Sequence, residues 1–265
     1  MQYKAVITDL DGTLIRWEGE LTPMSREVLK RLEGRGIAII VATARPPRYA
    51  VDYIEGIPKD SWYICYNGAE IYRHGKCLYK RCVNAKMTAE LIGMIRRMDE
   101  GFVIAVETDN RIFADSDLVV MFGQSVPYEA VDWEIAECMA AAKVLVSHED
   151  LSMLVKLKAE LPNGVKGMIT DGGTLMHVVH EEVDKAVAAD WIMGKLGITM
   201  DQAVAFGDDT IDITMIQRAG IGVAIEGAQK EIIEAADRIC QPPEEDGVAK
   251  VIKEIVLGDN KDEKE

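Results

Sequence analysis

The chain has 265 residues with 30 basic and 45 acidic side chains, a formal charge of −15, and it is 48% apolar and 28% charged. That is the composition of a folded globular protein, long enough for one large core or two modest ones, and it excludes bulk disorder. It also argues against a nucleic-acid partner, because phosphate backbones select basic stripes; a small phosphate ester can still bind where a metal or placed cations reverse the local field.

In chain order, MQYKAVITDLDG has one Lys before a short apolar run broken by Asp9, which is not a signal-peptide pattern. AVIT (5–8) reads as a buried strand, followed by a polar loop with Asp9, Asp11 and Gly12. Thr22-Pro23 predicts an N-cap with Pro at the first helical position, and Val28, Leu29 and Leu32 then recur at helical spacing until Gly34 and Gly36. GIAIIVATA (36–44) is a second buried strand, a short helix is expected from Tyr49 to Ile54, and WYICYN is a third strand ending at Asn67-Gly68. Continuous apolar strands alternating with helices predict a parallel sheet covered on both faces.

From about residue 85 the pattern changes. A helix (Met87 to Met98) precedes FVIAVET and RIFA, which pair as a hairpin around Asp109-Asn110. KVLVS (143–147), a helix from Asp150 to Glu160, VKGMIT and TLMHVV follow, with Gly172-Gly173 as a second hairpin signal. The first pattern then returns: a helix from Ala186 to Leu196, the strand AVAFG (203–207), a helix from Thr210 to Arg218, the strand IGVAI and a helix from Gln229 to Ala236. The simplest organisation is a Rossmann-like α/β core (1–84 and 181–265) interrupted by an inserted α+β domain (85–180). The tail GDNKDEKE has no apolar anchor and is expected to fray.

No run approaches the roughly 18 apolar residues of a membrane span. The five cysteines (Cys65, Cys77, Cys82, Cys138, Cys240) are odd in number and lack C-x-x-C spacing, so they read as reduced thiols of a cytoplasmic protein.

Asp9 and Asp11, at i and i+2 after the first strand, place two carboxylates at the carboxyl edge of the sheet, where open α/β folds bind ligands. Gly12 permits the sharp turn that follows. Thr43 after the second strand, and Asp208 with Asp209 after AVAFG, reach the same edge, and Lys185 stands just before a helix that can meet them. Carboxylates, a hydroxyl and a lysine converging there suit a divalent metal with a phosphate. An oxygen donor set without His or Cys means Mg²⁺ rather than zinc.

These residues resemble the motifs of the haloacid dehalogenase superfamily, and within it the Cof-type sugar-phosphatase branch. D-x-D-G-T is Asp9 to Thr13, the second motif is Thr43-Ala44-Arg45, the third is Lys185, and G-D-x-x-x-D is Gly207 to Asp212. Asn67-Gly68-Ala69 and Asp246-Gly247-Val248-Ala249 also match stretches typical of the branch, and the insertion falls where the branch carries its α/β cap. The resemblance implies that Asp9 attacks phosphorus to form an aspartyl phosphate, and that Asp11 protonates the leaving alkoxide and then activates water. It implies Mg²⁺ held by Asp9, the backbone carbonyl of Asp11, and Asp208. The phosphoryl oxygens fall to the Leu10 amide, the Thr43 hydroxyl, the Ala44 amide and Lys185. A small-molecule phosphate ester is the implied partner, with the cap setting specificity.

Three positions depart from the pattern. Ala44 replaces the Gly of T-G-R, Ile211 replaces the Asn usual before the last Asp, and Asp209 adds an acid that either meets the metal's surroundings or faces water. Asp212 either caps the following helix or orients a metal ligand, the reading favoured here. Arg45 is divided between an ion pair and the rim of the site. His177, His180, Trp133 and the methionines read as structural rather than ligand-binding. The alternatives to a phosphatase are a phosphosugar mutase or phosphotransferase using the same aspartyl phosphate, and a phospho-ligand-binding protein weakened at Ile211.

Overall fold

A computed structural model describes residues 3–16, 19–133, 139–170 and 173–259. The chain divides into two compact units, Met1–Tyr79 with Asp184–Glu265, and Lys80–Val183.

The first unit opens with β1 (Ala5–Thr8), α1 (Pro23–Gly34), β2 (Ala38–Ala42) and β3 (Trp62–Cys65), then continues into β4 (Glu70–Arg73) and β5 (Lys76–Lys80). All four β1 residues are buried, as a strand covered on both faces requires. α1 starts where the Thr22 hydroxyl accepts the Ser25 N–H at 3.0 Å with Pro23 in the first turn, and it buries Val28, Leu29 and Leu32.

The second unit contains α2 (Ala85–Met98), β6 (Val103–Thr108), β7 (Arg111–Ala114), α3 (Val119–Phe122), β8 (Glu129–Ala130), β9 (Lys143–Ser147), α4 (Leu151–Glu160), β10 (Val165–Thr170) and β11 (Leu175–His180). Its sheet runs β10-β11-β9-β6-β7-β8, antiparallel except between β7 and β8. One face, with Ile104, Val106, Val144, Val146, Met176 and Val178, packs on the apolar stripes of α2 and α4. Trp133 lies in that core, and His177 is buried on β11.

The chain returns to the first unit through α5 (Lys185–Leu196), β12 (Ala203–Gly207), α6 (Ile213–Arg218), β13 (Ile221–Ile225), α7 (Lys230–Ala235), β14 (Arg238–Cys240) and α8 (Gly247–Val251). The strand order is β14-β13-β12-β1-β2-β3-β4-β5, so β1 is central, between β12 and β2. The strands from β14 to β3 are parallel, and β4 turns back antiparallel to β3. α5 buries Ala186, Ala189, Ile192 and Met193 against Ile7, Ile40, Ile64 and Ala205 on one face of this sheet.

Three local expectations are corrected. Residues 49–54 do not form a helix: one 3₁₀ turn covers Pro47–Tyr49, and the rest is turn, since Asp52 has φ 55° and Gly56 φ 99°. The third strand stops at Cys65, because Tyr66 and Asn67 take left-handed backbone. The sheet is not wholly parallel: β4 and β5 extend it at one edge, and KCLYK alternates exposed and half-buried positions along β5. Elsewhere β6 and β7 pair antiparallel around the Asp109-Asn110 turn, and β10 pairs antiparallel with β11. Gly172, Cys138 and the last six residues of the tail lie outside the described residues. No helix among the described residues is long and apolar enough to cross a membrane.

Candidate active site

The site lies at the carboxyl ends of β1, β2 and β12. β1 delivers Asp9, whose N–H donates to the Phe206 carbonyl of β12 at 2.9 Å, so these two strand ends are tied together. Leu10 is buried in the turn beyond, its carbonyl accepting from the Leu14 and Ile15 amides at 3.0 and 2.9 Å. β12 ends in Gly207, followed by Asp208. A Cβ on Gly207 would lie 2.5 Å from the Asp212 Cβ, so the absent side chain is what lets Asp212 fold back beneath the strand end.

Lys185 is the first residue of α5. Its helix is capped by Asp184, whose carboxylate accepts from the Ala186 and Val187 amides at 2.7 and 3.3 Å. The Lys185 Nζ donates to Asp9 Oδ1 and to Asp212 Oδ1, both at 2.6 Å. The other Asp212 oxygen accepts from the Asp208 and Asp209 amides, each at 3.3 Å. Thr13 is fully buried and its hydroxyl donates to Asp208 Oδ1 at 2.6 Å.

Carboxylate oxygens of Asp9, Asp208 and Asp212 all lie within 4.8 Å of one another. Three carboxylates and one ammonium sum to −2, a charge that burial makes costly. Burial pushes the Asp9 carboxyl well above the usual range, against the pull of Lys185 and with a further push from Asp212 and Asp208. Burial likewise takes Asp208 up to about 6, with the Thr13 hydrogen bond opposing and Asp212 adding. For Lys185, burial favours the neutral amine, but the Asp212 and Asp9 carboxylates outweigh it and hold the ammonium charged. An all-oxygen set with this excess of negative charge fits a hard divalent cation.

The remaining candidates have partners of their own. The Asp11 carboxylate is held by Arg45 in a two-pronged ion pair, Nε to Oδ2 at 2.8 Å and Nη2 to Oδ1 at 2.5 Å. The Thr43 hydroxyl, just beyond β2, is buried and accepts the Arg45 N–H at 3.0 Å, which fixes the loop carrying Ala44. Asp209 forms a capping box with Asp212 around a 3₁₀ turn at Thr210–Asp212, and its Oδ1 accepts from the Thr210 hydroxyl at 2.9 Å. The cluster therefore draws in Asp212 and Thr13 and leaves the Asp209 side chain in the cap. Reasoning from the sequence assigned Thr13 no contact; its only signal was its place at the end of D-x-D-G-T.

Comparison with known proteins bears on the fold and the family. The chain is 28% identical to the 5-amino-6-(5-phospho-D-ribitylamino)uracil phosphatase YcsE of Bacillus subtilis (strain 168) over 255 residues, 96% of each chain. It superposes on the crystal structure of a haloacid dehalogenase-like hydrolase from Bacteroides thetaiotaomicron with a TM-score of 0.82 and 25% identity, covering 96% of this chain and 100% of that one. It shares the fold of the HAD subclass IIB sugar phosphatase BT4131, with a TM-score of 0.79 and 23% identity over 95% of this chain and 98% of that one. The family model for haloacid dehalogenase-like hydrolases matches residues 6–252, and the chain belongs to that family.

Proposed function

We propose that the protein is a Mg²⁺-dependent phosphomonoesterase of small phosphorylated metabolites, sugar phosphates foremost, with the chemistry carried by the first unit. The observation that carries the reading is Asp9: a buried carboxylate at the end of the central strand, one oxygen on the Lys185 ammonium, inside a cluster whose net charge calls for a cation. The resemblance of the whole chain to a phosphatase of a phosphorylated ribityl compound supports a small polyhydroxylated ester as substrate.

In this reading an Asp9 oxygen forms a bond to phosphorus as the ester P–O bond breaks, and Asp11 gives its proton to the departing alkoxide. A water then loses a proton to the Asp11 carboxylate and attacks phosphorus, and the Asp9–phosphorus bond breaks to release inorganic phosphate. Lys185, the Thr43 hydroxyl and the Leu10 and Ala44 amides take the phosphoryl oxygens, where charge spread over the transferring group is stabilised. Asp9, Asp208 and the Asp11 carbonyl would hold the cation, Asp212 and Thr13 would orient that set, and Asp209 stands beside it through its cap. The bound metal supplies charge neutralisation for the phosphoryl oxygens. Arg45 must release the Asp11 carboxylate, and Asp11 must take up a proton from solvent, before that proton passes to the alkoxide, which gives the ion pair a gating position.

The test is phosphate release from p-nitrophenyl phosphate and a panel of sugar phosphates, with and without Mg²⁺, comparing wild type with Asp9→Asn. Metal-dependent release that falls at least about a thousandfold in a folded Asp9→Asn protein is expected. Substantial residual turnover in that variant would overturn the nucleophile assignment. An isomerised sugar phosphate in place of free phosphate would identify a mutase.

A further inference from the structure

We propose that Tyr66–Asn67–Gly68, immediately after β3, is a clamp that positions the phosphoryl-binding groups, a role that rests on the phosphatase reading above. Three consecutive residues there have positive φ: 52° at Tyr66, 60° at Asn67 and 114° at Gly68. All three are buried. Left-handed backbone is uncommon for any side chain and a genuine outlier for a bulky one such as Tyr. Consecutive residues of this kind persist only where the surroundings over-determine them, and they concentrate at functional sites.

What holds the turn is the site itself. The Tyr66 N–H donates to the Arg45 carbonyl at 3.1 Å and the Asn67 N–H to the Thr43 carbonyl at 3.0 Å. Both bonds end on the loop that presents the Thr43 hydroxyl, the Ala44 amide and the Arg45 fork on Asp11. On its other side the turn meets the start of α5. A Cβ on Gly68 would lie 2.5 Å from the Asp184 carbonyl oxygen and 2.7 Å from its carbon, so Gly68 sits directly on the backbone that precedes Lys185. Asp184 is also the residue whose carboxylate caps that helix.

The turn thus touches the Thr43 loop through two hydrogen bonds and the Lys185 helix through a contact only glycine permits. Thr43 leaves β2, whereas Lys185 arrives on a helix from elsewhere in the chain, so strand pairing alone does not fix their separation. The packing of α5 on the sheet brings them near, and the left-handed turn is the link that touches both. Asn67 and Gly68 are therefore positioning residues, and they act through backbone conformation rather than through their side chains touching substrate.

The sizes follow from the contact. Ordinary van der Waals contact for a Cβ begins near 3.4 Å against the 2.5 Å found, so Gly68→Ala, already strained at φ 114°, must open the turn–Asp184 contact by roughly 1 Å. Displacements of that size at a reacting centre cost about 10- to 100-fold in rate. Asn67→Gly keeps the left-handed backbone without steric penalty, whereas Asn67→Ala does not.

The experiment measures kcat and KM on p-nitrophenyl phosphate, inhibition by inorganic phosphate, and the ¹H–¹⁵N shifts of the Ala44 and Lys185 amides in Gly68→Ala, Asn67→Gly and Asn67→Ala. Gly68→Ala is expected to lose at least about tenfold in kcat and in phosphate affinity and to move both amides; Asn67→Ala should lose about tenfold, and Asn67→Gly should stay within about threefold of wild type. A folded Gly68→Ala protein with wild-type kcat, phosphate affinity and amide shifts would overturn the clamp. So would an Asn67→Gly protein as impaired as Asn67→Ala, and that pair decides the matter where Gly68→Ala does not fold. A wild type that releases no phosphate refutes the phosphatase reading instead; the clamp is then judged by phosphate titration calorimetry and the amide shifts alone.

Discussion

Replacing Lys185 by Met tests the charge arrangement of the site without any assay of turnover. Met preserves most of the volume and stem of the buried side chain, so the change falls on charge more than packing. The Lys185 side chain is 1% exposed, as is Asp212, and Asp9 is 10% exposed, so the ion pairs are screened little by solvent. Removing the ammonium takes the cluster from −2 to −3 and leaves Asp9 and Asp212 without their 2.6 Å partner. Breaking a buried pair from one side costs about 3–5 kcal/mol. At about 2–4 °C per kcal/mol for a unit of this size, the melting temperature of the metal-free protein should fall by about 6–20 °C.

The sign of the pH dependence follows from the same carboxylates. An acid whose pKa is higher folded than unfolded favours folding most below the unfolded value, near 3.9, and loses that advantage as pH rises through the folded value. Asp9 and Asp208 are already on the raised side in the wild type, and losing the cation raises the cluster further. The Lys185→Met deficit should therefore be small near pH 5 and full at pH 8. Urea unfolding in EDTA at both pH values measures it, with Lys185→Met/Asp212→Asn expected to recover part of the loss by removing one uncompensated charge. A deficit below about 1 kcal/mol at pH 8, or one equal at the two pH values, would refute the reasoning.

Three further outcomes are expected. Mg²⁺ should raise the melting temperature of the wild type, by the equivalent of about 2.7 kcal/mol at a hundred times its dissociation constant, and should do so far less in Asp208→Asn; equal shifts would remove Asp208 from the metal set. His177 is held well below its ordinary pKa by burial, with Lys143 adding, so the native state stays neutral while the unfolded chain takes up a proton as pH falls below about 6.5. Between pH 7.5 and 5.5 this contributes about 1.4 kcal/mol of lost stability, and His177→Gln should flatten the urea-derived profile by that amount. Ile211 occupies the 3₁₀ turn between Asp209 and Asp212, and Ile211→Asn should tighten phosphate binding or raise turnover; unchanged values of both would show that an amide there has no work to do.

The α/β core could be read from the sequence because buried parallel strands are short apolar runs with polar loops at their carboxyl ends, as AVIT before Asp9 and AVAFG before Asp208 are. The edge strands could not. Lys76 to Lys80 alternates in burial but not in residue type, since Leu78 lies on the exposed side with the two lysines, so no period-2 pattern marks it in the sequence. The Tyr49–Ile54 helix failed because Asp52 takes φ 55°, a backbone state that its residue type permits without announcing. Within the site, residue types indicated which groups gather but not how they pair. That Asp212 binds Lys185, that Arg45 holds Asp11, and that Thr13 holds Asp208 are facts of side-chain direction, which spacing along the chain does not encode.

Strand order explains why the cluster forms at all. In sequence, Asp9 is separated from Asp208 by about three-quarters of the chain; in the sheet, β12 and β2 flank β1, with neighbouring strands about 4.8 Å apart. The nucleophile candidate thus stands between acidic groups on one side and the Thr43 hydroxyl loop on the other. In the proposed reading a phosphoryl group bound above β1 would span both, with its negative oxygens facing donors from β2 and the acids on the β12 side. Lys185 is the exception, since it comes from a helix on the sheet's face rather than from a strand end, and it must reach under the edge to bridge Asp9 and Asp212. The sheet sets the other positions by hydrogen-bond register. The helix is held by its packing on the sheet face, and the left-handed turn at Gly68 meets the backbone just before that lysine.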